Sequence, residues 1–177
     1  ESFIKTVRTF KMGSPKEDST YLGPLTRKSQ IPFLQQQIQD ALEKGATLLT
    51  GGKPVSDRKG YYFEPTVLIN TNHKMEIMRE ESFGPVIGIQ KVKEDSEAIS
   101  LMNDSCFGLT AGVYSKNRSR AEKILNQINS GSVYWNCCDR VSPQLPWAGR
   151  YGSGVGYTLG EGGIATFVQP KAYHWKA

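Results

Sequence analysis

Apolar positions along this chain fall into two rhythms. Phe3, Ile4, Val7 and Phe10 recur as one face of a helix. That helix is expected to end at Met12-Gly13, where glycine suits a left-handed cap and Pro15 blocks continuation. Ile31, Leu34, Ile38 and Leu42 predict a second helix closed by Gly45, with Pro32 tolerable only in its first turn. Ala121, Ile124, Leu125 and Ile128 predict a helix over 118–129. Shorter helices are expected over 96–103, with Ala98, Leu101 and Met102 inward, and over 161–168. Strands are expected over 46–50, 61–70, 85–92, 109–115 and 132–136. Pro65 makes the second of these an edge or bulged strand, and the third reads as buried.

From 85 to 136 the order is strand, helix, strand, helix, strand. That alternation predicts an α/β fold with a parallel, Rossmann-like sheet and crossover helices. Ligands gather at the carboxyl ends of such strands. Two places qualify: the loop opening at Asn136 and the turn before Pro85. The loop from Cys137 to Gly156 is rich in glycine and proline and carries Trp147 and Tyr151, which suit a binding wall. The tail from Lys171 reads as an edge strand for another chain to pair with.

With 177 residues, one domain is expected, with room for an appendage. Adding the 18 glycines to the 38% of hydrophobic residues gives an ordinary globular balance, which excludes a disordered chain. No apolar window is long enough to cross a membrane as a helix. Net charge is +5, with a small basic group at Lys116, Arg118, Arg120 and Lys123 that reads as a solvated helix face rather than a nucleic-acid stripe. Cys106, Cys137 and Cys138 form no disulfide framework, so a reducing, cytoplasmic setting is expected. No secretory leader is recognisable at the start. The chain opens almost inside a helix and without Met, which reads as a piece of a longer protein.

Candidate chemistry narrows quickly. The glycines at 152, 154, 156 and 160 miss the dinucleotide-loop spacing and follow no apolar strand. His73 and His174 are far apart in sequence, and Cys137-Cys138 cannot chelate as a C-x-x-C pair, so no metal site is expected. No serine sits in a nucleophile elbow. A reactive cysteine needs a helix amino terminus or a base beside it, whereas Cys137 and Cys138 follow a strand and precede the acidic Asp139, so they read as packing or pocket wall. Glu80-Glu81-Ser82-Phe83-Gly84-Pro85 is more informative. A carboxylate offers only acceptors and can take hydrogen bonds from both hydroxyls of a ribose diol. A neighbouring aromatic can cover a flat ring. Paired glutamates at a helix end also occur for structural reasons alone.

Several segments together resemble the aldehyde dehydrogenase superfamily, specifically the carboxyl-terminal part of its catalytic domain. Leu22-Gly-Pro-Leu25 resembles the family's Leu-Gly-Pro connector. Gly51-Gly52 and Gly60-Tyr-Tyr-Phe-Glu-Pro-Thr-Val67 resemble its Gly-Gly…Gly-x-Phe-x-x-Pro-Thr-Val stretch. Glu80 to Val86 resembles its Glu-Glu-Ile-Phe-Gly-Pro-Val signature. Asn103 to Ala111 resembles Asn-x-x-x-Tyr-Gly-Leu-x-Ala, and Gly131 to Asn136 resembles Gly-x-Val-x-x-Asn. Pro146-Trp-Ala-Gly149 with Ser153-Gly154 resembles the Pro-aromatic-Gly-Gly…Ser-Gly loop. Six segments in the right order are specific where any one is weak.

The resemblance implies oxidation of an aldehyde to a carboxylic acid with NAD or NADP, through a cysteine thioester. Glu81 matches the glutamate that holds the nicotinamide ribose, and Phe83 the aromatic beside the nicotinamide. Asp139, Val141 and Trp147 fall where the family lines its aldehyde tunnel. Asn136 matches a strand-end asparagine with a structural role. Residues 1–168 are then part of the catalytic domain, and 169–177 an oligomerisation strand of a homodimer or homotetramer.

Three departures from the pattern stand out. The Gly-Gln-x-Cys nucleophile segment and the general-base glutamate belong before residue 1, so no catalytic residue is assigned and this chain alone is expected to be inactive. Ala148 replaces a glycine, and Tyr151 stands where the family often has lysine. Pro-Trp in the loop is similar to enzymes acting on betaine aldehyde and aminoaldehydes, since an aromatic face holds a cation. The rival reading is a non-catalytic oligomerisation or scaffolding module of the same fold.

Overall fold

The computed structural model describes residues 1–138 and 140–177. The chain divides into two compact units, residues 1–91 and 92–177.

The first unit is built around one amphipathic helix and a central strand. Helix α1 runs Ser2–Arg8 and buries Val7. It stops earlier than the expected Met12-Gly13. Tyr21 N and Leu22 N both donate to the Lys11 carbonyl at 2.8 and 3.0 Å, which pulls 11–13 into a bridge between Met12 and Leu22. Phe10 therefore leaves the helix and stacks on Tyr21 with ring centroids 4.2 Å apart. Helix α2, Gln30–Glu43, has Pro32 in its first turn, where no intrahelical N–H is needed. It buries Leu34, Gln37, Ile38 and Ala41; Leu42, expected inward, is exposed.

Strands β1 (Thr47–Thr50), β2 (Pro54–Val55), β3 (Tyr62–Phe63), β4 (Thr66–Ile69) and β5 (Val86–Ile89) follow. The single strand expected over 61–70 is two, because Pro65 cannot donate to a ladder. Strand β3 pairs with β2, and β4 becomes the centre of a sheet ordered β1-β4-β5. Strand β4 is antiparallel to β1 and parallel to β5, with Thr66 opposite Val86. A central strand is covered on both faces, so Thr66, Val67 and Leu68 are all buried. Strand β5 is not the buried strand expected. It lies at the sheet's edge, and Ile87 and Ile89 are exposed. Leu34, Ile38, Ala41, Phe63, Leu68 and Met75 form the core. Each fully buried large apolar side chain contributes about 1.5–3 kcal/mol.

The second unit contains the expected alternation after β5. Helix α3 (Asp95–Asn103), strand β6 (Thr110–Val113), helix α4 (Arg118–Leu125) and strand β7 (Ser132–Trp135) appear in that order. Strands β6 and β7 are parallel, from Thr110 opposite Ser132 to Val113 opposite Trp135. The Asn117 side chain caps α4 by accepting from Arg120 N at 3.0 Å. Ala121, Ile124, Leu125 and Ile128 are buried as their spacing predicts. Helix α3 buries no residue completely; Ala98, Leu101 and Met102 are half-buried. It is tied to α4 by a two-pronged ion pair, Arg120 Nε and a terminal guanidinium nitrogen on Asp95 at 2.7 and 2.6 Å. The guanidinium holds the Asp95 carboxyl below the usual carboxylate range. The Gly/Pro-rich loop contains a strand, β8 (Trp147–Ala148), antiparallel to β9 (Tyr157–Thr158). Helix α5 is the short segment Gly160–Ala165. Residues 169–177 form no helix or strand within the chain. Parallel pairs with interleaved helices make the chain α/β, as expected.

Asp40 gives the first unit a titratable link. It takes Lys44 at 2.5 Å and Glu76 N at 2.8 Å, joining α2 to the short turn at Glu76–Met78. The Lys44 hydrogen bond, then the Glu76 amide, lower its pKa. A carboxyl lowered on folding stabilises above its unfolded pKa of about 3.9, and that contribution is lost as pH falls through the folded value. Urea unfolding of wild type and Asp40→Asn should differ most near neutral pH and converge below about pH 4.

Candidate functional site

Each unit presents one candidate surface. In the first it is the turn from Glu80 to Pro85, between the 76–78 turn and β5. Glu80 N donates to Glu76 O at 2.8 Å, which fixes the turn's start. Pro85 O accepts from Thr66 N at 2.7 Å, which fixes its end on the central strand. Gln30 Nε2 reaches from the first turn of α2 to Ser82 O at 2.6 Å. At Gly84 an added Cβ would lie 2.5 Å from Leu34 Cδ1, so the backbone rests directly on the core helix. With Ser82, Gly84 and Pro85 half-buried, Glu81 and Phe83 face solvent, as does the neighbouring Glu80.

Phe83 has φ +43°, a left-handed conformation that costs a bulky residue energy, and its ring is 74% exposed. Glu81 is exposed and makes no hydrogen bond or ion pair with the described residues. Both of its oxygens are free to accept. An acceptor-only carboxylate and an open aromatic face two residues apart can grip a diol and cover a flat ring. These are the two residues expected to meet the cofactor, and the structure places them on one turn.

In the second unit the surface is built from the end of β7 and the loop after it. Asn136 has φ +55°. Its side chain accepts from Ser115 N at 2.8 Å and donates to Ser115 O at 3.0 Å, while Trp135 Nε1 donates to the same carbonyl at 2.9 Å. Asn136 thus locks the ends of β6 and β7 together, the structural role expected of it. Tyr134 OH donates to Arg140 O at 3.2 Å, carrying the loop back over β7. Trp147 is half-buried and lines a cavity of about 240 Å³ with Val133, Tyr134, Arg140, Leu145 and Pro146. Val141 is 57% exposed and is not part of that cavity's wall. Asp139, the third residue expected on the aldehyde side, lies outside the described residues. Cys137 is half-buried, and Cys106 and Cys138 are exposed. Among the described residues no group of three or more His, Cys, Asp or Glu side chains stands together. Nor is any helix there long and apolar enough to cross a membrane.

Sequence reasoning missed Gln30 and Arg140. Gln30 meets a carbonyl 52 residues away, and a lone polar residue in a first helical turn carries no signal of that. Arg140 contributes its backbone oxygen, which no residue-type pattern encodes.

The reason for the glycine in the β7 segment is geometric. A Cβ on Gly131 would lie 1.7 Å from the Ala148 carbonyl oxygen. The backbone carrying Trp147 and Ala148 lies flat on the start of β7. The aldehyde dehydrogenase family model matches residues 1–173, and the chain belongs to the aldehyde dehydrogenase family.

It is 37% identical over 172 residues to a chloroplastic betaine aldehyde dehydrogenase of Atriplex hortensis, which covers 97% of this chain and 34% of that protein. It is 36% identical over 169 residues to the peroxisomal aminoaldehyde dehydrogenase 2 of Pisum sativum, covering 95% and 34%. A crystal structure of Staphylococcus aureus betaine aldehyde dehydrogenase in complex with NAD+ superimposes with a TM-score of 0.88 at 33% identity, covering 94% of this chain and 34% of that one. The chain spans about a third of the length of these relatives.

Replacing Gly131 with alanine must displace the Ala148 backbone. Thermal or urea unfolding should show Gly131→Ala destabilised by about 1–3 kcal/mol, with protease cutting between 140 and 156 accelerated; wild-type behaviour in both would contradict the packing described.

Proposed function

We propose that residues 1–177 are the carboxyl-terminal third of an enzyme that oxidises an aldehyde to a carboxylic acid with NAD or NADP, acting on aldehydes of the betaine-aldehyde or aminoaldehyde kind. The observation that carries this is the 80–85 turn. Its anchors, Gln30 on Ser82 and Gly84 on Leu34, leave the Glu81 carboxylate and the open Phe83 ring facing outward. A nicotinamide nucleotide has the matching chemistry, a ribose diol joined to a flat ring. Glu81 would accept from the two ribose hydroxyls, and Phe83 would cover the nicotinamide and restrict its rotation. When bound there, the cofactor supplies a hydride acceptor.

On the substrate side the family resemblance assigns Trp147, Val141 and Asp139 to the aldehyde, and of these Trp147 lines the cavity beside β7. The Trp147 ring suits a trimethylammonium or ammonium group, which an aromatic face attracts. The names of the similar plant and bacterial enzymes support that substrate class. The cysteine that forms the thioester and the glutamate that activates water lie outside residues 1–177, and this chain alone is inactive. The whole enzyme is a homodimer or homotetramer in which Tyr173 to Lys176 pairs with a second copy. Phe167 and Trp175, exposed at 91% and 84%, support an interface there. The three unpaired cysteines within residues 1–177 suit a reducing compartment such as the cytoplasm, whereas the similar plant enzymes are named chloroplastic or peroxisomal.

The test is a fusion in which residues 1–177 replace the matching third of the Staphylococcus aureus enzyme. Aldehyde-dependent formation of NADH or NADPH is expected; a folded fusion without turnover on betaine aldehyde, aminoaldehydes or simple aldehydes overturns the proposal. In that fusion Glu81→Gln should raise the KM for the cofactor about 10–100-fold, the worth of a hydrogen bond to a charged group. Trp147→Ala should raise the KM for a cationic aldehyde about 3–30-fold and leave a neutral one nearly unchanged. Calorimetry on residues 1–177 alone should show no micromolar affinity for NAD.

A further inference from the structure

The loop that carries Trp147 is held at more points than its glycines explain. Gly152 N donates to Cys106 O at 2.7 Å, Arg150 N to Gly108 O at 3.0 Å, and Gly108 N to the Ser153 hydroxyl at 3.0 Å. Phe107 and Tyr151 form a backbone bridge. These contacts fasten residues 150–153 to the segment before β6, downstream of Trp147. Upstream, the Ala148 carbonyl rests on Gly131.

One side chain joins the two attachments. Tyr151 takes the left-handed conformation, φ +51°, and its phenol oxygen accepts from Asn129 Nδ2. Asn129 is itself fixed, its N–H donating to Asn103 Oδ1 at 2.9 Å. Asn103 Nδ2 in turn donates to Gln127 O at 2.8 Å. A relay of side chains thus runs from the end of α3, past the end of α4, to the loop. It meets the loop four residues after Trp147 and anchors two residues before Gly131. A lysine at 151, common in the family, has no oxygen with which to accept from that amide.

We propose that Tyr151 is a positioning residue for the aldehyde-side wall, setting the placement of Trp147 through its hydrogen bond to Asn129; this rests on the reading of Trp147 given above. Its phenol does not touch the substrate. It fixes the backbone from which the indole projects, and a wall that shifts loses part of its hold on the substrate.

Tyr151→Phe keeps the ring and removes only the acceptor. In the 177-residue chain, amide hydrogen exchange at Trp147, Ala148, Tyr157 and Thr158 should accelerate about 2–10-fold, while Gly112 and Tyr134 on β6 and β7 stay unchanged. In the fusion enzyme the KM for a cationic aldehyde should rise about 2–10-fold, with kcat and the cofactor KM unmoved. Asn129→Ala should reproduce both effects, and the double variant should add nothing beyond either single one. Unchanged exchange overturns the clamp. Faster exchange with an unmoved aldehyde KM overturns the positioning role. A wild-type fusion that oxidises no aldehyde removes the reading of Trp147 and the positioning role with it, and the exchange result on the chain alone tells that failure from the absence of a clamp.

Discussion

Both candidate surfaces depend on one constraint: backbone pressed against its support with no room for a Cβ. At Gly84 the support is Leu34 on the core helix, and at Gly131 it is the Ala148 carbonyl. Close approach of this kind removes a loop's freedom without any strong interaction. Dispersion contacts and a few backbone hydrogen bonds then fix its path. Beside Gly84 the exposed Phe83 faces outward, and beside Ala148 the half-buried Trp147 lines its cavity. The rigidity of the grip is set by packing underneath it, and the identity of the grip by the side chains above.

The elements with a strong period were legible. Helix α4 and its three buried residues follow from spacing alone, though the helix ends at Leu125, short of the expected 129 and of buried Ile128, and so does the strand-helix alternation that makes the fold α/β. Boundaries failed where a distant segment competed. The extension of α1 to Met12 is good helix on local grounds, but Lys11 O is taken by Tyr21 and Leu22 from a later turn. The burial of β5 was overestimated because an apolar run does not say whether both flanks have neighbours, and β5 is an edge. Pro65 was read as a blemish within one strand, whereas it separates two strands that belong to different sheets.

The site was legible unevenly, for a chemical reason. Glu81 and Phe83 stood out because a carboxylate and an aromatic suit a diol and a flat ring and fall within the Glu80 to Val86 segment that resembles the family signature, and both are exposed. The residues that hold them did not stand out. Gln30 and Thr66 act through ordinary amide and backbone groups whose partners lie 52 and 19 residues away. Side chains that meet a ligand are chosen for unusual chemistry. Side chains that position them are chosen for reach, and reach is a property of the fold.

The left-handed residues that are not glycine make the same division visible in energy. Asn136, Tyr151 and Phe83 each adopt φ between +43° and +55°, where glycine would carry less strain. For Asn136 the strain is offset inside the chain by two hydrogen bonds to Ser115. For Tyr151 it is offset by the Asn129 amide. Phe83 has no such return: its ring is largely exposed, and turning it outward forfeits apolar burial as well. A strained residue persists where its surroundings over-determine it, and here Ser82 and Gly84 are held on both sides. Those anchors explain how Phe83 is kept in place. On the function proposed for it, the reason it is phenylalanine and not glycine lies in the flat ring it covers, a partner that this chain does not itself contain.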